Sequence, residues 1–365
     1  MCSEQVRILL LGPMPPPLGG TTVLFRQLVD DLEARDDVHV ILVNTTGPQH
    51  FLGKTRTWVR VLWTVFRNLA KVDVVTLHAT ARAVILLAPV VHVVCRCFGK
   101  PWVLRKFAGS FDLTYQQLPW PARALVRRTS LSADLCLFET HHLVSFFERH
   151  SVHQVAWYPN NRPTESDQLS GGQRARCQRF VFVGHVKPSK GIREIISAAE
   201  QLGSEVTVDI YGPVSGGVRQ DELTRLENVA YRGVLMPSEV IPTLRQYDAL
   251  LLPTYHDGEG YPGVILEAYV AGLPVIATEW RAIPEIVDKT SGILVSPHNA
   301  AELADAMKRM TDDPALFEAL RAGTKQKRQD FSSSKWTCAF AQLCRDLVEL
   351  GSSRVLEGSG TQQCD

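Results

Sequence analysis

Short apolar, β-branched runs alternate with helical patterns along this chain, and they do so in two successive series. The first series comprises residues 6–12 (VRILLLG), 38–43, 72–78, 101–107, 133–138 and 154–159. Such alternation means a parallel sheet with helices between its strands. A second series follows at residues 179–184 (RFVFVG), 205–212, 228–233, 248–254, 274–278 and 292–297. The expected fold class is therefore α/β, with two Rossmann-like, doubly wound domains in tandem. Open parallel sheets bind ligands beyond the carboxyl ends of their strands, so two such domains facing one another imply a cleft at the linker.

Between residues 162 and 177 the apolar period is lost and Ser, Gly, Asp and Gln accumulate, as in an interdomain linker. The domains are expected at residues 1–165 and 166–330, followed by a C-terminal helix at 331–350 and a disordered Gly/Ser/Gln-rich tail at 351–365. A length of 365 residues suits two such domains. The 39 Lys and Arg against 38 Asp and Glu leave a net charge of +1, which gives no basis for nucleic-acid binding. Eight cysteines without a C-x-x-C pair or zinc spacing read as free thiols of a reducing cytosol. The start of the chain, with Glu4 and Arg7 around a short apolar run, lacks the pattern of a secretory leader. Residues 83–95, the most apolar stretch, contain Pro89 and His92 and are too short to span a bilayer, so a buried helix is expected.

Three loops after strands carry chemistry. After the first strand, Gly19 and Gly20 precede Thr21, Thr22 and an amphipathic helix. The string is not G-x-G-x-x-G, which argues against a nicotinamide or flavin enzyme, yet a Gly-Gly pair at a helix start permits close approach of an anion. Alternatively, the two glycines only end a proline-rich loop. The first strand of the second series ends in GHVKPSKG (residues 184–191), which sets Lys190 beside a helix N-terminus, where a phosphate suits it, unless it is a solvated loop lysine.

The most informative string is HDGEGYPGVILEAYVAGLPVIAT (residues 256–278), where seven residues separate Glu259 from Glu267. Pro262 suits an early helical position, and the N–H groups around Gly263 and Val264 are then free to receive a diphosphate. Glu267, among Val264, Ile265, Leu266 and Ala268, needs hydrogen-bonding partners, which a pair of ligand hydroxyls would supply, unless it is a surface residue of an amphipathic helix and Glu259 a loop residue.

In order and spacing, Gly19-Gly20, GHVKPSKG, EGYPGVILEA and GLPVIATEWRAIPEIV…GILV resemble family 4 of the retaining glycosyltransferases, which have a GT-B fold. The resemblance implies transfer of a sugar from a nucleoside diphosphate sugar, held mainly by the C-terminal domain, to an acceptor held mainly by the N-terminal one. By similarity, Glu267 holds the ribose hydroxyls and Lys190 the diphosphate. Glu259, Tyr261, Gly263 and Val264 face the donor sugar and phosphate, and Gly20 approaches from the other domain. A glycan or lipid-linked acceptor in polysaccharide or glycolipid synthesis is the implied setting.

This chain departs from the family pattern twice. His185 stands where the family usually has arginine, and Phe107, in RKFAGSF (residues 105–111), stands where it commonly has histidine. Arg105 and Lys106 either serve an anionic substrate or include a solvated strand-end charge. No D-x-D occurs, so no metal and no cofactor are expected, and the leaving-group charge falls to Lys190, His185 and helix N–H groups.

Residues 57–72 place Trp58, Val61, Leu62, Val65, Phe66 and Leu69 on one helical face, with Trp63 and the basic Arg60, Arg67 and Lys71 off it. That pattern fits a core-facing helix or a helix lying on a membrane surface. The expectation is a cytoplasmic hexosyl transferase with peripheral contact at the inner face of the membrane. A sugar-nucleotide epimerase, a phosphorylase and a non-catalytic subunit of the same fold are the alternatives.

Overall fold

The computed structural model describes residues 5–17, 19–47, 51–152, 154–164 and 176–349. The chain forms two compact units, one built from the chain up to Asn160 together with the segment from Ser333 onward, the other from Asn161 to Ser332. The first holds β1 (Val6–Gly12), β2 (Val38–Asn44), β3 (Val74–Ala79), β4 (Trp102–Lys106), β5 (Leu135–Phe138) and β6 (Val155–Trp157). They form one parallel sheet in the order β2-β1-β3-β4-β5-β6, with Leu9 opposite Ile41 on one side and Val75 on the other.

Alternation along these strands divides the apolar side chains between two faces. Leu9, Leu11, Val75, Leu77, Leu104 and Phe138 pack with Val61, Val65, Val91 and Cys95. Ile8, Leu10, Val74, Val103 and Leu137 face the other way, onto Phe25, Leu28 and Leu32 of the helix Gly20–Glu33 and onto Trp336, Phe340, Cys344 and Leu347. The last four belong to the C-terminal helix Ser333–Glu349. That helix, expected as an element after the second domain, is part of the first unit's core, because its apolar stripe must be buried and this sheet face offers the cover.

The second unit holds β7 (Arg179–Val183), β8 (Thr207–Tyr211), β9 (Val229–Tyr231), β10 (Ala249–Leu252), β11 (Val275–Thr278) and β12 (Gly292–Val295), in the parallel order β12-β11-β10-β7-β8-β9. In both sheets the order reverses beside the first strand, between β1 and β3 and between β7 and β10. A parallel sheet opens a crevice at such a point, beyond the strands' carboxyl ends. The loops with Gly19, Lys190 and Glu259 follow β1, β7 and β10.

Several expectations change. The boundary placed at residues 165 and 166 lies outside the described residues, as does the tail 351–365, and the units divide at Asn160 and Asn161 instead. The start of the expected linker is packed: Arg162 is buried, and its N–H donates to the Phe331 carbonyl at 3.0 Å. Residues 83–95 form two helices, Ala81–Leu86 and Ala88–Cys97, because Pro89 can begin a helix but cannot continue one. They are buried on one face only, by Val84, Ala88, Val91 and Cys95, while Leu86, Val90 and Val93 are exposed. In the helix Phe51–Asn68, Val61 and Val65 are buried as expected, but Phe66 is turned outward with Val59 and Trp63. Among the described residues, no helix is long and apolar enough to cross a membrane.

Candidate functional site

In the second unit, the loop after β7 and the loop after β10 meet. Pro188–Lys190 form one 3₁₀ turn, and Gly191 turns the chain at φ +76° into the helix Ile192–Leu202. A side chain at Gly191 would meet the Pro253 carbonyl, so glycine is required both for its φ and for the close approach. Tyr255 N–H donates to the Ser189 carbonyl at 2.9 Å, tying the two loops together. The result is an ion pair between Lys190 Nζ and Glu259 Oε1, with both side chains largely buried. Thr254 Oγ1, fully buried at the end of the strand loop, donates to the same Glu259 oxygen at 3.1 Å.

Lys187 stands beside this pair, its Nζ 3.4 Å from His256 Nδ1. Burial, then the Lys187 and Lys190 ammonium groups, hold His256 below the ordinary histidine value. The two loops therefore present Lys187 and Lys190, the carboxylates of Glu259 and the exposed Asp257, and in His256 a histidine biased toward its neutral form. His185, predicted to share the charge, is exposed in the same loop.

The helix Gly263–Ala271 begins directly after Pro262, and Glu267 lies one turn inside it. Glu267 is paired with a residue from the start of the expected linker: Arg162 Nε donates to Glu267 Oε1 at 2.9 Å. A Cβ at Gly263 would collide with the Arg162 guanidinium. Tyr261 is buried, its hydroxyl donating to Glu285 at 2.7 Å, so its side chain serves the domain interior and only its backbone remains for a ligand.

In the first unit, Gly19 and Gly20 open the helix Gly20–Glu33, and a Cβ at either position would meet open space. Packing within the protein thus does not demand glycine there. Thr22 Oγ1 accepts from Gly19 N–H at 3.1 Å and holds the turn.

Arg105 and Lys106 at the end of β4 are both buried, which excludes the solvated strand-end reading for either. The Arg105 guanidinium lies 4.7 Å from the Phe107 ring centre and 4.3 Å from that of Tyr158. Burial, opposed by the Glu139 carboxylate, pushes the Lys106 ammonium down to about 8. Phe107, where the resemblance expects histidine, is a core residue: its ring packs against His78 at 6.0 Å.

His78, on β3, was not singled out by sequence. It is buried among Phe25, Phe107 and Phe340, and neither ring nitrogen has a hydrogen-bond partner among the described residues. Burial, with nearby Arg105, holds it well below the ordinary histidine value. The unfolded chain thus binds a proton near pH 6.5 that the folded chain refuses. We predict that stability is full above about pH 6.5 and falls by up to about 1.4 kcal/mol per unit as pH drops toward the folded value. His78→Leu should remove that component. Urea unfolding of both proteins between about pH 5 and 7.5 measures it, and equal slopes would contradict it.

Residues 177–313 match the family described as "Glycosyl transferases group 1". A D-inositol 3-phosphate glycosyltransferase of Streptomyces bingchenggensis is 27% identical over 45% of this chain and 39% of its own length. A 2-deoxystreptamine glucosyltransferase of Streptomyces kanamyceticus is 32% identical over 41% of each. The chain thus spans about two-fifths of the length of these curated relatives. Among solved structures, Anabaena HepE in complex with UDP and glucose superposes with a TM-score of 0.70 at 18% identity, over 94% of this chain and 100% of that one. Sucrose-phosphate synthase of Thermosynechococcus elongatus gives 0.70 at 17%, over 95% and 100%.

The two parallel α/β domains therefore define a GT-B fold. Within that fold, residues 177–313 of the second unit are similar to the group 1 glycosyl transferases.

Proposed function

We propose that this protein is a retaining, metal-independent glycosyltransferase that moves a sugar from a nucleoside diphosphate sugar to a hydroxyl of a glycan or lipid-linked acceptor. The observation that carries this reading is the Lys190–Glu259 pair beside the helix that begins at Gly263 and carries Glu267. In it the diphosphate meets Lys190 and the helix N–H groups, and the ribose hydroxyls meet Glu267. Glu259, held by Lys190 and Thr254, is a positioning group for the donor sugar rather than a free nucleophile. The acceptor hydroxyl attacks the anomeric carbon on the face from which the diphosphate leaves. The C–O bond to the diphosphate breaks as the new one forms, and a leaving phosphate oxygen takes the hydroxyl proton.

Nucleoside diphosphate release from a panel of donors, with UDP-glucose first in view of the UDP-bound neighbours, tests this. Release should rise with acceptor and persist in excess chelator, since Lys190 and backbone N–H groups, not a bridging cation, meet the charge. Turnover lost in chelator and restored only by Mg²⁺ or Mn²⁺ would overturn metal independence. Turnover of donor without any transfer would favour an epimerase, and dependence on inorganic phosphate a phosphorylase.

The first unit is assigned to the acceptor, with peripheral binding at an anionic membrane surface. Trp63 stacks on Phe66 at 6.4 Å, Phe66 meets Phe98 edge-on at 5.4 Å, and all three rings are at least half exposed. Arg60, Arg67 and Arg96 are exposed on the same two helices. Aromatic rings beside arginines suit an anionic headgroup layer. Cosedimentation with phosphatidylglycerol-containing vesicles should exceed that with pure phosphatidylcholine, and Trp63→Ala/Phe66→Ala should weaken it at least about tenfold. Equal recovery with both vesicle types, or an unchanged double variant, would remove this surface.

A further inference from the structure

Arg162 is the residue of the donor site that sequence gave no reason to include. It is buried, and three bonds fix it: its N–H to the Phe331 carbonyl at 3.0 Å, Nη1 to the Asn161 carbonyl at 2.9 Å, and Nε to Glu267 at 2.9 Å. Its guanidinium lies against Gly263, the first residue of the helix, at a place where any side chain would displace it. That helix has no acidic residue in its first turn.

Electrostatically this is an unusual juxtaposition. The first turn of a helix carries partial positive charge on its free N–H groups, and a cation placed there is repelled. Glu267 compensates the guanidinium but sits one turn further in. Two positive groups held against one another form a place for an anion. Glu267, meanwhile, is occupied by the same guanidinium that would have to release it to a ribose.

We propose that Arg162 is a diphosphate-binding residue of this chain that also guards Glu267. The inference rests on the donor-site reading above. On donor binding, Glu267 passes from the guanidinium to the ribose hydroxyls, and the guanidinium passes from Glu267 to the diphosphate, between itself and the N–H groups at Gly263 and Val264. Arg162 thereby supplies the permanent cation missing at His185. A planar guanidinium suits the task, because it pairs with a carboxylate or with phosphate oxygens in the same forked geometry.

The exchange predicts opposite responses from a nucleoside with and without its phosphates. Calorimetry of the full chain with UDP and uridine, GDP and guanosine, and ADP and adenosine first identifies the pair that binds. Arg162→Met should then weaken the diphosphate about tenfold or more, while the nucleoside binds as well as before or more tightly because Glu267 is no longer held. Arg162→Lys should fall between, and it carries the same comparison if Arg162→Met does not fold. Equal changes for nucleoside and diphosphate would reduce Arg162 to a support for Glu267 and overturn the proposal, as would an unchanged diphosphate affinity. Wild-type protein that bound none of the three pairs would overturn the donor-site reading itself, and this inference with it.

Discussion

Lys190→Ala should lower turnover by about 10²–10³, the loss seen when one preorganised charge-stabilising donor is removed, or about 2.7–4 kcal/mol of barrier. In the proposed mechanism the charge developing on the leaving diphosphate is greatest in the transition state, so kcat and kcat/KM should fall together rather than KM alone rising. The fold supplies the preorganisation. Gly191 fixes the turn that carries Lys190, and Glu259 with its Thr254 bond fixes the ammonium. Removing the cation leaves a nearly buried carboxylate without its counter-charge, which also costs stability. Thermal unfolding of Lys190→Ala beside wild type, with turnover measured well below both transitions, separates the two effects. Near-wild-type turnover in a folded Lys190→Ala protein, measured as nucleoside diphosphate release, would take Lys190 out of the chemistry. A change confined to KM would make it a ground-state contact.

Every strand expected from sequence is present, with ends shifted by a few residues, because a buried parallel strand is an uninterrupted apolar run that little else resembles. The pairing of Lys190 with Glu259 was also within reach. Both follow neighbouring strands at the point where the sheet order reverses, and Thr254 and His256 could have been added by the same rule. Arg162 could not. It lies in a polar segment whose composition reads as a tether, and it is held beside Glu267 by its backbone bond to Phe331 and the Nη1 bond to Asn161. Phe66 and Phe98 show a different limit. Helical periodicity says which residues share a face, but whether a neighbour covers that face is a tertiary fact, and here none of the described residues of the first unit buries those rings. The burial of Arg105 and Lys106 was hidden for the same reason: cations at a strand end look solvated until aromatic rings and a carboxylate are seen around them.

The C-terminal helix gives the other large effect. Phe340 is fully buried, with its ring 5.5 Å from His78 and 5.7 Å from Tyr158, on the face of the first sheet that also receives the helix Gly20–Glu33. Phe340→Ala removes most of an aromatic side chain from that core and leaves a cavity, at a cost of about 3–5 kcal/mol. For a unit of this size each kcal/mol lowers the melting temperature by about 2–4 °C, so the first unit should melt visibly earlier. The second unit, which contains none of these contacts, should keep the nucleoside diphosphate affinity proposed for it at temperatures below that transition. Hydrogen exchange resolved by segment distinguishes the units: amides of β1, β3 and the helix Ser333–Glu349 should lose protection together, while those of β7 and β10 should not. If the helix were an appendage of the second domain, as its place in the sequence implies, the same substitution would cost less than about 1 kcal/mol and leave β1 protected. A loss of protection in β7 and β10 instead would attach the helix to the second unit's core.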